Sequence, residues 1–96
     1  MAINEDDVMK AYIVSYDLRS PGRNYNPLYE AIKLFPQWGK VTESLWVVVA
    51  NDDAASIRDR LRRLVDSNDR IFVLRSGTEA AWVNSICDNE WLKRNL

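Results

Sequence analysis

The chain contains no histidine. That absence removes Ser-His-Asp and Cys-His nucleophile pairs, imidazole general bases and every zinc site that needs His. A single cysteine, Cys87, allows neither an intramolecular disulfide nor a thiolate cluster. With an acidic start, MAINEDDVMK, that has no signal-peptide character, a reducing cytoplasm is the expected location. Only three glycines occur, Gly22, Gly39 and Gly77, too widely spaced for a P-loop or a dinucleotide-binding turn. A bound metal would have to be held by carboxylates, carbonyls and water, which selects magnesium, manganese or calcium over zinc or copper. An excess of one charge is also missing: 13 basic and 14 acidic residues leave a net charge of -1. No overall field draws the protein to nucleic acid or to an anionic membrane, so any nucleic-acid site must be a local patch. No apolar run approaches the roughly 20 residues of a spanning helix.

What is present describes one globular domain. The 96 residues are 47% hydrophobic and 28% charged. A chain this short buries only about 60–65% of its unfolded surface, so self-association is expected to supplement its core. Residues 1–9 are polar and acidic without periodicity and are expected to form a flexible leader before a single domain over residues 10–96.

Residues 11–17 (AYIVSYD) alternate Tyr12, Val14 and Tyr16 with Ala11, Ile13, Ser15 and Asp17, the pattern of a central strand with two largely apolar faces. A loop with Pro21 and Gly22 follows. Leu28, Ala31, Ile32 and Phe35 then predict a helix of about three turns, capped by Asn24 or Asn26 and ended by Pro36. Residues 40–49 (KVTESLWVVV) read as two strands meeting near Glu43 and Ser44. Asn51, Asp52 and Asp53 supply an N-cap for a second helix with Ala54, Ile57, Leu61, Leu64 and Val65 on its apolar face. Residues 70–75 (RIFVLR) form another two-sided strand. The order strand, helix, strand, strand, helix, strand predicts an α+β ferredoxin-like plait with both helices on one sheet face. The other face would need a cover, and a second copy is expected there. Beyond Gly77, residues 79–83 are expected as a short edge strand and Ser85 as the cap of a final helix holding Trp91, Leu92 and Leu96, an appendage reaching across a subunit boundary.

Four short segments carry a resemblance: Y-D-L at Tyr16 to Leu18 with the S-P-G-R-N-Y loop behind it, E-S-L-W at Glu43 to Trp46, and S-N-D-R at Ser67 to Arg70. Together they resemble the Cas-two family, the smaller of the universal CRISPR spacer-acquisition proteins. Related to it are the virulence-associated protein D group and small stand-alone SinR-like proteins, the nearest in pattern. The resemblance implies a homodimer with facing plait sheets and a first-strand aspartate from each subunit beside a divalent-metal site, with magnesium or substituting manganese. Asp17 matches that aspartate, Tyr16 the tyrosine before it, and Ser44 with Trp46 the family's serine and aromatic, tryptophan here replacing a usual phenylalanine. Arg19 and Arg23 lie where many relatives carry loop arginines.

The implied activity is a metal-dependent endonuclease acting on RNA or DNA. Asp17 would hold the metal, Tyr16 would orient it or the substrate, and Arg19 and Arg23 would neutralise phosphate charge, with Ser44 and Trp46 contributing to nucleic-acid contact. The residues alone also allow plainer roles. Asp17 at a strand end can cap the following loop by accepting N–H bonds from Arg19 or Ser20. Arg58, Arg60, Arg62 and Arg63 can be a solvated helix face, with Asp59 pairing Arg62 or Arg63. Arg19, Arg23 and Tyr25 can clamp a phosphate and stack a base, or simply be surface. The four tryptophans suit buried sheet and subunit contacts, and Cys87 a small apolar position. The alternative to an enzyme is a non-catalytic dimeric module that binds nucleic acid or protein.

Overall fold

A computed structural model describes residues 8–96; the expected leader therefore lies, for residues 1–7, outside the described residues. Seven elements follow one another: β1 (Lys10–Asp17), α1 (Asn26–Ile32), β2 (Gln37–Thr42), β3 (Leu45–Ala50), α2 (Ala54–Arg62), β4 (Arg70–Arg75) and α3 (Asn89–Asn95). The four strands form one sheet in the order β2-β3-β1-β4, and every neighbouring pair is antiparallel. This is an α+β architecture with the expected strand and helix order as far as Arg75.

The period-2 alternation of β1 builds the core. Tyr12, Val14 and Tyr16 are buried on one face beside Trp46, Val48 and Ala50 of β3, and Leu28, Ile32, Phe35, Ile57 and Leu61 pack onto them. Each fully buried side chain of this size contributes about 1.5–3 kcal/mol through removal from water. α1 is shorter than its apolar spacing predicts. It stops after two turns at Ile32, and Phe35 reaches the core from the turn that follows, its N–H bonded to the Ile32 carbonyl at 3.3 Å. Its N-cap is Tyr25, which makes no side-chain capping bond. Asn24 instead accepts the Asn26 N–H at 3.0 Å in an Asx turn. Pro27 occupies the first turn, where its missing N–H costs nothing.

The β2–β3 hairpin turns at Glu43 and Ser44 as expected, with an irregularity between Lys40 and Thr42. α2 begins at its predicted cap, where Asp53 accepts the Ser56 N–H at 2.8 Å.

The largest departures lie after Gly77. Residues 79–83 do not form a strand, and α3 is capped by Asp88, which accepts the Trp91 N–H at 3.0 Å, not by Ser85. Ser85 bonds instead to the Cys87 carbonyl at 2.7 Å. Within the chain, the segment returns over the face of the sheet opposite α1 and α2. Ile86 N–H bonds to the Val41 carbonyl at 2.9 Å on edge strand β2, and Trp91 Nε1 donates to Gln37 Oε1 at 3.1 Å. Gly39 makes this approach feasible, because a Cβ there would sit 2.7 Å from Trp91 Cζ3 and 3.1 Å from Cys87 Sγ. Val47, Val49 and Leu92 are buried under or within this cover, which leaves an apolar cleft of about 370 Å³ between Ile13, Leu45 and Val47 below and Trp82, Leu92 and Leu96 above. Over β4 the face is open: Phe72 is 60% exposed and Leu74 51%. Among the described residues no helix is long and apolar enough to cross a membrane.

Candidate functional site

The C-terminal end of β1, the N-terminal end of β4 and the β2–β3 turn meet at one end of the sheet, and the two long loops gather there. Asp17 and Arg70 are direct cross-strand partners in the β1–β4 register. Their side chains form an ion pair, Arg70 Nη1 donating to Asp17 Oδ2 at 2.8 Å, with both more than half exposed. The side-chain partner of Asp17 in the structure is this guanidinium. Arg70 lies in the S-N-D-R segment, but nothing in its sequence context marks it as the counterion of a residue 53 positions away.

The cap of the β1–α1 loop comes from Asp69. Its carboxylate accepts the Arg19 N–H at 2.6 Å, the Tyr25 hydroxyl at 2.7 Å and the Asp66 N–H at 2.7 Å. Tyr25 in turn accepts the Ser20 N–H at 3.2 Å, and Arg23 lies 4.0 Å from Asp66 and over the Tyr25 ring. One side chain therefore staples residues 19–25 to residues 66–69. Partial desolvation opposes ionisation of Asp69, but the Arg19, Tyr25 and Asp66 donors and the nearby Arg23 charge outweigh it, so its pKa lies below the usual carboxylate value. The sequence suggests a capping Asp at this end, on β1; the structure places it 52 residues further along, on the loop before β4.

The other candidates divide into two groups. Arg19, Arg23 and Ser44 are exposed at the same end as Asp17, and the Ser44 carbonyl accepts the Tyr16 N–H at 3.0 Å. Tyr16 and Trp46 lie within the core on the helix-covered face. Trp46 Nε1 donates to the Tyr16 hydroxyl at 3.0 Å, and that hydroxyl donates to the Glu43 carbonyl at 3.1 Å. Strand alternation points Tyr16 away from Asp17, so the two adjacent residues serve opposite faces. Burial raises the Tyr16 pKa above 10 despite the Trp46 hydrogen bond.

On α2, Asp59 pairs with Arg58 at 3.0 Å in place of Arg62 or Arg63, and Arg60 stacks over Phe35 at 4.7 Å. Arg58 and Arg62 border a groove of about 440 Å³ with Asp66 and Asp69, which extends the charged end of the sheet along α2. Cys87 is half-buried, and desolvation raises its thiol pKa, the behaviour of a packing residue.

The donor set of the described residues does not suit a divalent cation. Among the described residues no three carboxylate or cysteine side chains come together. Among the described residues Asp17 belongs to no such cluster and already faces a cation, an arrangement that does not fit a magnesium or manganese site within those residues. No protein-family model matches the chain, and no solved structure matches it.

Proposed function

We propose that the chain is a Cas-two-like small protein on a ferredoxin-like plait whose arginine-bearing end binds the phosphodiester backbone of nucleic acid. The observation that carries this reading is the Asp69 staple. It fixes the backbone of the loop with Arg19 and Arg23 against the loop leading into Arg70, so three arginines, of which Arg23 faces Asp66 and Arg70 faces Asp17, lie near one end of the sheet on a chain with no net basic charge. Phosphate binding needs fixed cations more than a large total charge, and arginine is suited to it by its fork of donors. The strand order and antiparallel pairing support the plait, and the short segments Y-D-L and E-S-L-W support the resemblance. The test is binding of labelled RNA and DNA across a salt series. Replacing both Arg19 and Arg23 with Ala should weaken binding and flatten the salt dependence by roughly 0.7–0.9 in slope for each phosphate that is no longer neutralised. Salt-insensitive or absent binding would sink the reading.

A second reading, the homodimeric magnesium-dependent endonuclease, is favoured by the exposure of Asp17 at the strand end, away from the helices. It requires a second copy to supply a second carboxylate. Cleavage of RNA and DNA with magnesium, manganese or chelator, comparing wild type with Asp17→Ala, decides it. Metal-dependent cleavage that disappears in the variant establishes the enzyme, and equal or absent cleavage leaves the binding module.

A further inference from the structure

The loop arginines leave unexplained the apolar cleft of about 370 Å³ between the sheet and the C-terminal segment. Its floor is Ile13 of β1 with Leu45 and Val47 of β3, and its roof is Ala81 and Trp82 of the loop before α3 with Leu92 of α3. Among the described residues no charged side chain lines it. The roof is pinned to β2 at two points: Ile86 N–H bonds to the Val41 carbonyl at 2.9 Å, and Trp91 Nε1 donates to Gln37 Oε1 at 3.1 Å. Within the segment, Trp82 Nε1 donates to Asn89 Oδ1 at 3.0 Å, which ties the indole wall to the start of α3. Enclosure is graded along the cleft. Val47 and Leu92 are 1% and 0% exposed, whereas Val83 is 81% exposed and Thr42 is also exposed, so the cleft has a closed end and a mouth.

We infer that this cleft binds an uncharged small molecule with an aliphatic body, its chain lying against Ile13, Val47 and Leu92 and a hydroxyl-type end at the mouth beside Thr42. The inference is independent of the nucleic-acid reading. Volume, lining and fixed walls carry it, because sites for small molecules are largely pre-formed apolar clefts of roughly 300–1,000 Å³ with few polar groups. The lining excludes ionised ligands: a carboxylate or phosphate drawn inside would give up its water without meeting a counterion. Size excludes macromolecules, since a stable protein interface buries about 1,200–2,000 Å² and a cleft roofed by its own chain offers no such surface. Leu74, the cross-strand neighbour of Ile13, and Phe72 lie outside the lining, on the open part of the same face. A facing-sheet dimer that covers only β4 and β1 leaves the cleft in place, and one that extends over β3 and β2 lifts the roof and abolishes it. Ligand and extended dimer therefore exclude each other, and a ligand that binds only the roofed form shifts the equilibrium towards it.

The test uses the full chain with the neutral fluorophore N-phenyl-1-naphthylamine as probe, and 1-octanol or octanoate, kept below its micelle concentration, as competitors. Probe fluorescence should rise saturably, 1-octanol should displace the probe, and octanoate should do so at least roughly tenfold more weakly. Ala81→Leu, a change in the exposed roof, should weaken probe binding by roughly tenfold or more by filling the cleft, with Tm unchanged. In heteronuclear NMR spectra 1-octanol should shift the Val47, Trp82 Nε1 and Leu92 resonances and leave those of Phe72 and Leu74 in place. No saturable probe binding, equal displacement by octanoate, or unchanged probe affinity in Ala81→Leu would overturn the site. Shifts confined to Phe72 and Leu74 would assign the apolar binding to the open β4 face and refute the cleft, and a dimer fraction that grows with 1-octanol in sedimentation would do the same. Nucleic-acid affinity of Ala81→Leu should equal that of wild type, so failure of this site and failure of the arginine site are read separately.

Discussion

Replacing Gly39 with alanine tests how the C-terminal segment is seated. An added Cβ would stand 2.7 Å from Trp91 Cζ3, 3.0 Å from its Cε3 and 3.1 Å from Cys87 Sγ, all inside normal contact distance. The indole cannot simply swing away, because its Nε1 is bonded to Gln37 on the same strand and its backbone N–H to the Asp88 cap of α3. Overpacking of this kind costs about 1–3 kcal/mol. Gly39 does not have positive φ, so alanine also restricts the unfolded chain and returns about 0.4–1 kcal/mol. The net loss is on the order of 1–2 kcal/mol, or a Tm lower by roughly 4–16 °C for a domain of this size. Thermal denaturation measures it, and Cys87 alkylation reports the same event locally, because the half-buried thiol becomes more accessible as Trp91 is displaced. In a Trp91→Ala background the Gly39→Ala cost should largely disappear, giving a coupling above about 0.5 kcal/mol. An unchanged or raised Tm, with unchanged alkylation, would refute the packing of α3 over Gly39.

Three further outcomes follow from the core and the loop staple. Trp46→Phe, which restores the aromatic usual in the resembling family, deletes the donor to a buried Tyr16 hydroxyl that still donates to the Glu43 carbonyl. A loss of about 1–3 kcal/mol in urea denaturation, with nucleic-acid affinity unchanged, is expected. The raised pKa of Tyr16 gives a contribution present below pH 10 and lost as pH rises through the folded-state value. Desolvation and the hydrogen bond to Asp69 raise Tyr25 as well, so ultraviolet titration should find two tyrosines ionising late, together with alkaline unfolding. Asp69 has the opposite sign. Its depressed pKa gives a contribution present above the ordinary value of 3.8 and lost as pH falls through the lower folded one, so hydrogen-exchange protection of residues 19–25 should persist through mild acid and collapse below it. In Asp69→Asn that acid step should vanish.

The parts of the fold legible in the sequence are those set by local periodicity. Alternation in AYIVSYD and RIFVLR, the acid cap before Ala54 and the polar break at Glu43 and Ser44 all lead to observed elements. Phe35 extends the predicted first helix by its i+7 spacing, yet the spacing is equally met by a turn that brings the ring back over Ile32. The C-terminal segment is illegible for a different reason. Its position depends on the absence of a side chain at Gly39 and on a tryptophan 52 residues later, a contact with no local signature. The site shows the same division. Asp17, Arg19, Arg23 and Ser44 are recognisable as polar residues near one strand end, whereas their partners Arg70 and Asp69 are defined by pairing across the sheet. Tyr16 and Trp46 match a motif that is equally a packing motif, and burial decides which role their side chains take up.

The seat of the C-terminal segment also separates the two functional readings. A sheet-to-sheet homodimer of the kind the resemblance implies, if it extends from the open β4 over β3 and β2, needs the face on which Val47 and Val49 lie, and those residues are closed off by the chain's own α3 and the loop before it. Such a dimer therefore competes with Trp91 and Leu92 for the same apolar floor. Loosening the segment with Gly39→Ala should then raise the dimer fraction in analytical ultracentrifugation, because the monomer loses its internal cover while the dimer does not need it. If the segment is instead a permanent part of the core, the variant lowers stability at every protein concentration and leaves the oligomeric state unchanged. The first result would bring two Asp17 carboxylates into play and favour the nuclease. The second would confine nucleic-acid binding to the stapled arginine loops, where a single chain is sufficient.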